Sequence, residues 1–174
     1  MRTNFNKFID GRKRSNDEYY MTLALEQAAL SKSMGEIARG AVLVFPNRVV
    51  TRETSVLSDH NPFALAEINA INQARYRHKK TISFKEAILY CTTEPSVFAF
   101  LAAYQYGIKE YVWGCDDIDD GFVSSLKLDV SRYDIAISTG ILSEQCYNIC
   151  TMHMREHLKQ HKEINNETPS VGNS

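Results

Sequence analysis

Apolar residues along this chain follow first a helical period and then a strand period. From Ser15 to about Gly35 they recur at helical spacing, and Ser15 with Glu18 has the form of a capping box that begins a helix. The short apolar run 41–45 predicts a buried strand, and a second strand is predicted from Val49 after a turn. The beginning of the sequence therefore predicts one helix followed by a β-hairpin.

The remainder of the pattern alternates helices with strands. Helices are predicted at 64–77, 96–106, 121–127 and from 143 to about 162, and strands at 87–93, 109–114 and 133–138. Strands that alternate with helices favour right-handed crossovers and a mostly parallel sheet covered on both faces. The predicted fold is α/β, a three-layer α/β/α sandwich at 15–162, with a basic arm at 1–14 and a disordered polar tail at 163–174.

Composition limits the classes of protein that fit this pattern. The chain has 174 residues, 44% of them hydrophobic and 24% charged, which suits one globular domain with a substantial core. The formal net charge of −1 gives no general attraction to nucleic acid or to a membrane, so we expect neither as a partner. With no membrane-length apolar run and no signal-peptide pattern, we expect a cytoplasmic protein whose four cysteines are reduced.

Two segments carry the most specific residue patterns. Residues 61–71 are Asn-Pro-Phe-Ala-Leu-Ala-Glu-Ile-Asn-Ala-Ile, and residues 89–95 are Leu-Tyr-Cys-Thr-Thr-Glu-Pro. They resemble the cytidine deaminase-like superfamily, particularly its branch of guanine deaminases and tRNA adenosine deaminases. Further matching segments lie at 18–44, 111–114 and 140–146. The resemblance covers about residues 15–160 and implies a five-stranded mixed sheet between layers of helices.

In that superfamily a His-x-Glu motif and a Pro-Cys-x-x-Cys motif build a zinc site. One imidazole and two thiolates hold the ion, its bound water becomes the nucleophile, and the glutamate moves protons. Matched residue by residue, Glu67 falls on that glutamate and Pro95 on the motif proline. The histidine position is Leu65, and the two cysteine positions are Ser96 and Ala99. Leucine and alanine have no donor atom and a neutral hydroxyl is a poor ligand, so zinc is expected to be absent.

These replacements argue against ordinary deamination. Without zinc, water keeps a pKa of about 15.7, and a carboxylate alone cannot supply enough hydroxide at neutral pH. We predict a zinc-less pseudoenzyme that binds a nucleobase or nucleoside, or has a regulatory role. The alternative is a deaminase-family hydrolase with atypical or metal-free chemistry in which Glu67 is the acid and base. A third hypothesis is a conventional deaminase that recruits zinc through His60 or Cys91.

The resemblance also implies a ligand and partners. The predicted ligand is a purine-like small molecule near Gly40, Thr54 and Glu67. Thr54 falls on or beside the asparagine that holds the substrate base in many members of the superfamily. Because members usually associate through helices beside the site, we expect a homo-oligomer, or an inactive partner of a true deaminase.

The residues at and beside the motif positions can also be explained by structural roles alone. Leu65, Phe98 and Ala99 together are interpreted as apolar packing that replaces a metal site. Ser96 is a natural helix N-cap, and no His or Lys is placed by sequence to make it a nucleophile. Glu67 either contacts a ligand or is a relic, and burial would leave it hydrogen-bonded or partly protonated.

Potential metal ligands also share one face of the last predicted helix. They are Cys146, Cys150, His153 and His157. One straight helix cannot surround an ion with four ligands, so core-facing cysteines with exposed histidines are the preferred interpretation.

Two charge clusters remain. The basic run Arg75–Lys80, with Tyr76 inside it, could contact phosphate, but a solvated helix end is preferred. The acidic run at 116–120 lacks the glycine and final glutamate of a calcium loop, and a turn with a helix start is preferred.

Overall fold

Helices and strands alternate along the described part of the chain as the pattern predicts. The computed structural model describes residues 11–46, 50–56, 61, 63–78, 82–117, 120–127 and 129–150. The helices are α1 (Gly11–Ser33), α2 (Ala66–His78), α3 (Val97–Gln105) and α4, which is helical from 143 to the end of the described chain at 150. The strands are β1 (Gly40–Val44), β2 (Val50–Thr54), β3 (Ile88–Thr93), β4 (Glu110–Cys115) and β5 (Ala136–Thr139). Single 3-10 turns lie at Phe84–Glu86 and Val130–Arg132.

The five strands form one mixed sheet in the order β2-β1-β3-β4-β5. Strand β1 is antiparallel to both of its neighbours, β2 and β3. The pairs β3–β4 and β4–β5 are parallel. All strands except β1 therefore point the same way, and the carboxyl ends of β3, β4 and β5 meet at one edge of the sheet.

Alternating side chains of the strands separate two apolar layers. In β1, Ala41 and Leu43 belong to a cluster with α2 and α3, while Val42 and Val44 belong to a cluster with α1. The second cluster also contains Cys146 of α4. Because successive strand side chains point to opposite faces, one short apolar strand serves both layers. The three-layer α/β/α prediction is confirmed.

Several local predictions are wrong, and others concern residues outside the described ranges. Helix α1 begins at Gly11, so Ser15 lies inside it and the predicted capping box with Glu18 does not mark its start. The predicted helix at 121–127 is wrong, because 122–127 are consecutive turns and Gly121 makes a bridge to Ser96. The arm before residue 11 and the predicted tail at 163–174 lie outside the described residues.

Candidate functional site

The candidate site lies where two helices begin on the same face of the sheet. Glu67 is the second residue of α2, and Ser96 immediately precedes α3. The hydroxyl oxygen of Ser55 accepts a hydrogen bond of 3.3 Å from the backbone N–H of Ala66, which caps α2. Because β3 ends at Thr93, the chain turns at Glu94 and Pro95 directly into α3. The two motif segments found in the sequence thus meet at two adjacent helix starts.

Glu67 is buried, with 3% of its surface exposed. Burial raises the pKa of its carboxyl group above the ordinary value. Its own backbone N–H and the guanidinium of Arg39 act in the opposite direction, while Asp117 and Asp120 raise the pKa further. Glu67 is therefore a buried carboxyl whose pKa is influenced by one cation and two other acids, which is a setting typical of functional carboxyls.

The three positions that resemble ligand positions have become parts of helix structure. Ser96 is the N-cap of α3, and its hydroxyl oxygen accepts a 3.3 Å hydrogen bond from the backbone N–H of Ala99. This confirms the N-cap interpretation. Ala99 is fully buried and Leu65 is half-buried, where its carbonyl accepts the 2.9 Å hydrogen bond from the Asn69 N–H.

Phe98 does not fill the pocket, so that part of the packing prediction is wrong. Its side chain is 51% exposed and its ring lies 4.9 Å from that of Phe63, which is 53% exposed. The reason is helical phase: the buried face of α3 is made by Ala99, Phe100 and Ala103, and position 98 lies outside it. Apolar replacement is thus limited to Leu65 and Ala99.

Gly40 and Thr54 face each other across β1 and β2. A Cβ atom on Gly40 would overlap the carbonyl oxygen of Ala24 and would lie 2.6 Å from the backbone nitrogen of Ala28. The missing side chain at Gly40 therefore lets α1 approach the sheet. Thr54 is buried, and its carbonyl accepts a 2.9 Å hydrogen bond from the side-chain amide of Asn69 on α2. Gly40 therefore has a packing role against α1, whereas Thr54 is joined to the first turn of α2.

Glu94 is a buried carboxylate for which the sequence predicts no role beyond the end of a strand. Its carboxylate is fully buried and accepts backbone hydrogen bonds from Val123 at 2.6 Å, Ser124 at 2.9 Å and Asp117 at 3.3 Å. The Phe122 N–H also donates to the carbonyl of Pro95 at 3.0 Å. The loop after β4 is thus fastened over the start of α3.

Arg39 is a second residue without a predicted role. It lies just before β1, is 8% exposed, and its Nη2 atom is 2.5 Å from the Oδ2 atom of Asp117. The signal was present in the sequence as a lone charge at the head of an apolar run, next to Gly40 and Ala41. A buried charge needs a partner, and such a pattern indicates one from elsewhere in the chain.

A known protein family matches the part of the chain that contains both helix starts. Residues 14–115 match the family described as the cytidine and deoxycytidylate deaminase zinc-binding region. The chain belongs to the cytidine and deoxycytidylate deaminase family. That match spans both helix starts and the strands between them, so the predicted resemblance is confirmed.

Relatives of this chain are named as tRNA-specific adenosine deaminases. It is 29% identical to a tRNA-specific adenosine deaminase of Buchnera aphidicola subsp. Schizaphis graminum over 141 residues, covering 79% of this chain and 93% of that one. It is 32% identical over 136 residues to a tRNA-specific adenosine deaminase of Haemophilus influenzae, covering 75% and 78% of the two chains.

Among solved structures, one from a study of A-to-I editing by tRNA:A34 deaminases aligns with a TM-score of 0.66 and 25% identity, covering 75% of this chain and 98% of that one. A guanine deaminase from Nitrosomonas europaea shares the fold, with a TM-score of 0.62 and 17% identity, covering 78% and 83% of the chains.

The residues of this deaminase-family chain do not fit the zinc ion that the family name implies. Leu65 and Ala99 offer no donor atom, and the Ser96 hydroxyl is engaged in capping α3. Within the described ranges, no group of three or more His, Cys, Asp or Glu side chains is arranged to hold a metal. Burial raises the pKa of the Cys91 thiol well above its ordinary value, which disfavours the thiolate that a metal needs. His60, the other residue considered for zinc, lies outside the described residues.

The cluster of potential metal ligands on the last helix and the acidic run agree with their structural interpretations, as far as the structure describes them. Cys146 and Cys150 face the core, as predicted, whereas His153 and His157 lie outside the described residues. In the acidic run, the Asp117 carboxylate accepts a 3.2 Å hydrogen bond from the Asp120 N–H, which is a turn as predicted.

In the basic run, the side chains of Arg75, Tyr76 and Arg77 are exposed at the end of α2. The Arg75 guanidinium donates a 2.9 Å hydrogen bond to the Tyr106 hydroxyl and lies 5.5 Å from the centre of that ring. This part of the run is a solvated helix end, as predicted. No helix among the described residues is long and apolar enough to cross a membrane.

Proposed function

We propose that this deaminase-family chain is a zinc-less pseudoenzyme that binds a nucleobase or nucleoside, or regulates a partner protein. The observation that supports this function is the state of the three ligand positions. Two side chains, Leu65 and Ala99, are hydrocarbon, and the hydroxyl of Ser96 caps α3. Zinc would be required to lower the pKa of the attacking water, and these residues give it nothing to bind.

The relatives support the chemical class of the ligand. Two of them are named for deamination of adenosine in tRNA, and a structural neighbour is named a guanine deaminase. A purine base or nucleoside is therefore the proposed ligand, with Glu67 and Thr54 at its site. An inactive partner of a tRNA adenosine deaminase is the corresponding regulatory role, and a homo-oligomer is the proposed assembly.

The decisive experiment measures metal and ligand on the same purified protein. We expect zinc well below one ion per chain by elemental analysis. We expect a purine or purine nucleoside to raise the thermal midpoint in a concentration-dependent way, because a ligand that binds only the folded state stabilises it. Stoichiometric zinc that is lost on substitution of His60 or Cys91 would overturn the proposal. Co-purification with an active deaminase, without a ligand shift, would select the regulatory role.

A second candidate function is metal-free hydrolysis in which Glu67 is the acid and base. The observation that favours it is the buried carboxyl itself, since burial raises the pKa of Glu67 and so favours the protonated form that a general acid needs. Release of ammonia from a purine by metal-free protein, abolished in Glu67→Gln, would select this function. A Glu86→Gln variant is the matched control, because Glu86 is exposed on the 3-10 turn before β3, at the opposite end of that strand from α3.

A further inference from the structure

Arg39 brings a fixed positive charge into the interior beside the candidate site. Its side chain is 10% exposed, although its neighbour Ala38 is fully buried and the strand that follows is buried throughout. A buried arginine stays charged, so its burial has to be offset by acids placed around it.

The guanidinium has one direct acidic partner. Its Nη2 atom is 2.5 Å from the Oδ2 atom of Asp117, whose side chain is 13% exposed. Asp117 is itself held in place, because its backbone N–H donates to Glu94 and its carbonyl accepts a 2.8 Å hydrogen bond from the Gly121 N–H. The Nε atom of Arg39 is buried and has no hydrogen-bond partner among the described residues. The arginine is thus oriented by its fixed partner on the loop after β4, and one of its donors is left over.

The same guanidinium acts on groups from several elements of the site. It favours the ionised forms of Glu67 at the start of α2, Cys91 on β3 and Cys150 on α4. The backbone carbonyl of Arg39 also accepts a 3.3 Å hydrogen bond from the N–H of Ser55, and the Ser55 hydroxyl in turn caps α2 at Ala66. Arg39 is therefore a cation in the interior at the start of α2, where the superfamily motif would place a metal ligand at position 65.

We propose that the Arg39 guanidinium supplies the positive charge of this site in place of a metal ion, and that it excludes zinc even where ligands are available. This inference rests on the proposed zinc-less function and goes further by naming the group that replaces the metal. A fixed cation repels a dication at short range, and its ion pair with Asp117 balances that carboxylate without a metal.

The test restores the three ligands and then removes the cation. One protein carries Leu65→His, Ser96→Cys and Ala99→Cys, and a second carries Arg39→Met in addition. We expect the second to bind zinc at least about tenfold more tightly in a competition titration against a chelator. Arg52→Met in the restored protein is the matched control, because Arg52 lies on β2, is 45% exposed and pairs with Glu26 at the surface. Equal zinc affinity with and without Arg39→Met would overturn the inference.

Arg39→Lys covers the case in which Arg39→Met fails to fold. If the lysine variant folds and the methionine variant does not, a positive charge is required in the interior, which supports the inference. If both fail to fold, the shape of the guanidinium rather than its charge is required, which overturns it. Zinc in the unaltered protein is measured in parallel. Stoichiometric zinc there refutes the proposed function, whereas a zinc-free protein with an unchanged affinity in the Arg39→Met comparison refutes only the role of Arg39.

Discussion

The hydroxyl oxygen of Ser96 accepts a hydrogen bond from the backbone N–H of Ala99 across 3.3 Å. These two positions correspond to the two cysteines of the Pro-Cys-x-x-Cys motif, so the spacing that would place two thiolates on one ion instead places an N-cap on its N3 amide. One helix start can serve either purpose, because both use positions three residues apart at the first turn. A metal would need two side chains there, whereas the cap needs one side chain and one backbone N–H. In this chain the three-residue spacing is present, and it stabilises the start of α3.

Ser96→Ala should therefore destabilise the fold. Loss of the cap leaves a buried N–H of α3 without its acceptor, and we expect the free energy of unfolding to fall by about 1 kcal/mol, up to about 2. Chemical denaturation of the variant measures this. Ser83→Ala is the matched control, because Ser83 precedes a 3-10 turn and its side chain makes no capping hydrogen bond. Equal effects of the two substitutions would contradict the capping role.

Glu94→Gln should loosen the loop after β4. The carboxylate accepts three backbone hydrogen bonds, and an amide offers only one acceptor oxygen and turns a donor towards the remaining N–H. We expect a loss of about 1–3 kcal/mol in the free energy of unfolding and faster amide hydrogen exchange at 121–124. The exposed Glu86 gives the control variant Glu86→Gln, which should leave both quantities unchanged. Unchanged exchange in the Glu94 variant would mean that other contacts hold the loop.

Local patterns were sufficient to predict the layers and the helix start at Ser96. The apolar run of β1 is buried at every position, and a strand that divides its side chains between two helix layers needs such a run. The N-cap followed from a serine placed after a proline and before apolar residues at helical spacing. Each of these features depends on neighbours within a few positions, so a single sequence contains it.

Features that depend on distant parts of the chain could not be predicted. The partner of Arg39 is Asp117, which lies 78 positions away, and the partners of Glu94 lie in the loop after β4. The placement of Phe98 also depends on the fold, since helical spacing alone does not say which side of a mostly apolar helix meets the sheet. Turn residues at 122–127 resemble a short helix in sequence because their structure is set by Glu94 and Pro95 rather than by their own pattern.

Gly40→Ala should destabilise the protein whether or not a ligand is present. The added methyl group would overlap the carbonyl oxygen of Ala24 on α1, and the helix would have to move away from the sheet. We expect a loss of about 3 kcal/mol in the free energy of unfolding, measured by denaturant titration. Gly35→Ala is the comparison, because its φ of +78° is strained for alanine but nothing lies within 4 Å of the new atom. That substitution should cost only about 1 kcal/mol. If Gly40→Ala costs no more, α1 does not depend on close approach at this position.

The half-buried thiol of Cys115 and the buried thiol of Cys150 should resist alkylation in the folded protein. Burial raises the pKa of Cys115 to about 12 and that of Cys150 to about 11. The thiolate is the reactive form, so at pH 8 roughly one Cys115 side chain in ten thousand is reactive, far fewer than for an ordinary thiol. We expect iodoacetamide to label these cysteines slowly in buffer and rapidly in guanidinium chloride, as followed by mass spectrometry.

The same pKa shift sets a pH dependence with a definite sign. The pKa of the Cys115 thiol is higher in the folded state than in the unfolded state, so the protonated thiol contributes to stability. That contribution is complete at pH values below the ordinary thiol pKa near 9, and it is lost as the pH rises towards 12. The thermal midpoint should therefore fall between pH 9 and pH 12. The midpoint of the Cys115→Ser variant should fall less steeply, because serine does not titrate in this range. The serine hydroxyl can still donate a hydrogen bond to the Thr92 carbonyl, as the Cys115 thiol does at 3.5 Å. Rapid labelling of Cys115 in the folded protein at pH 8, or identical slopes for the two proteins, would mean that the thiol is open to solvent.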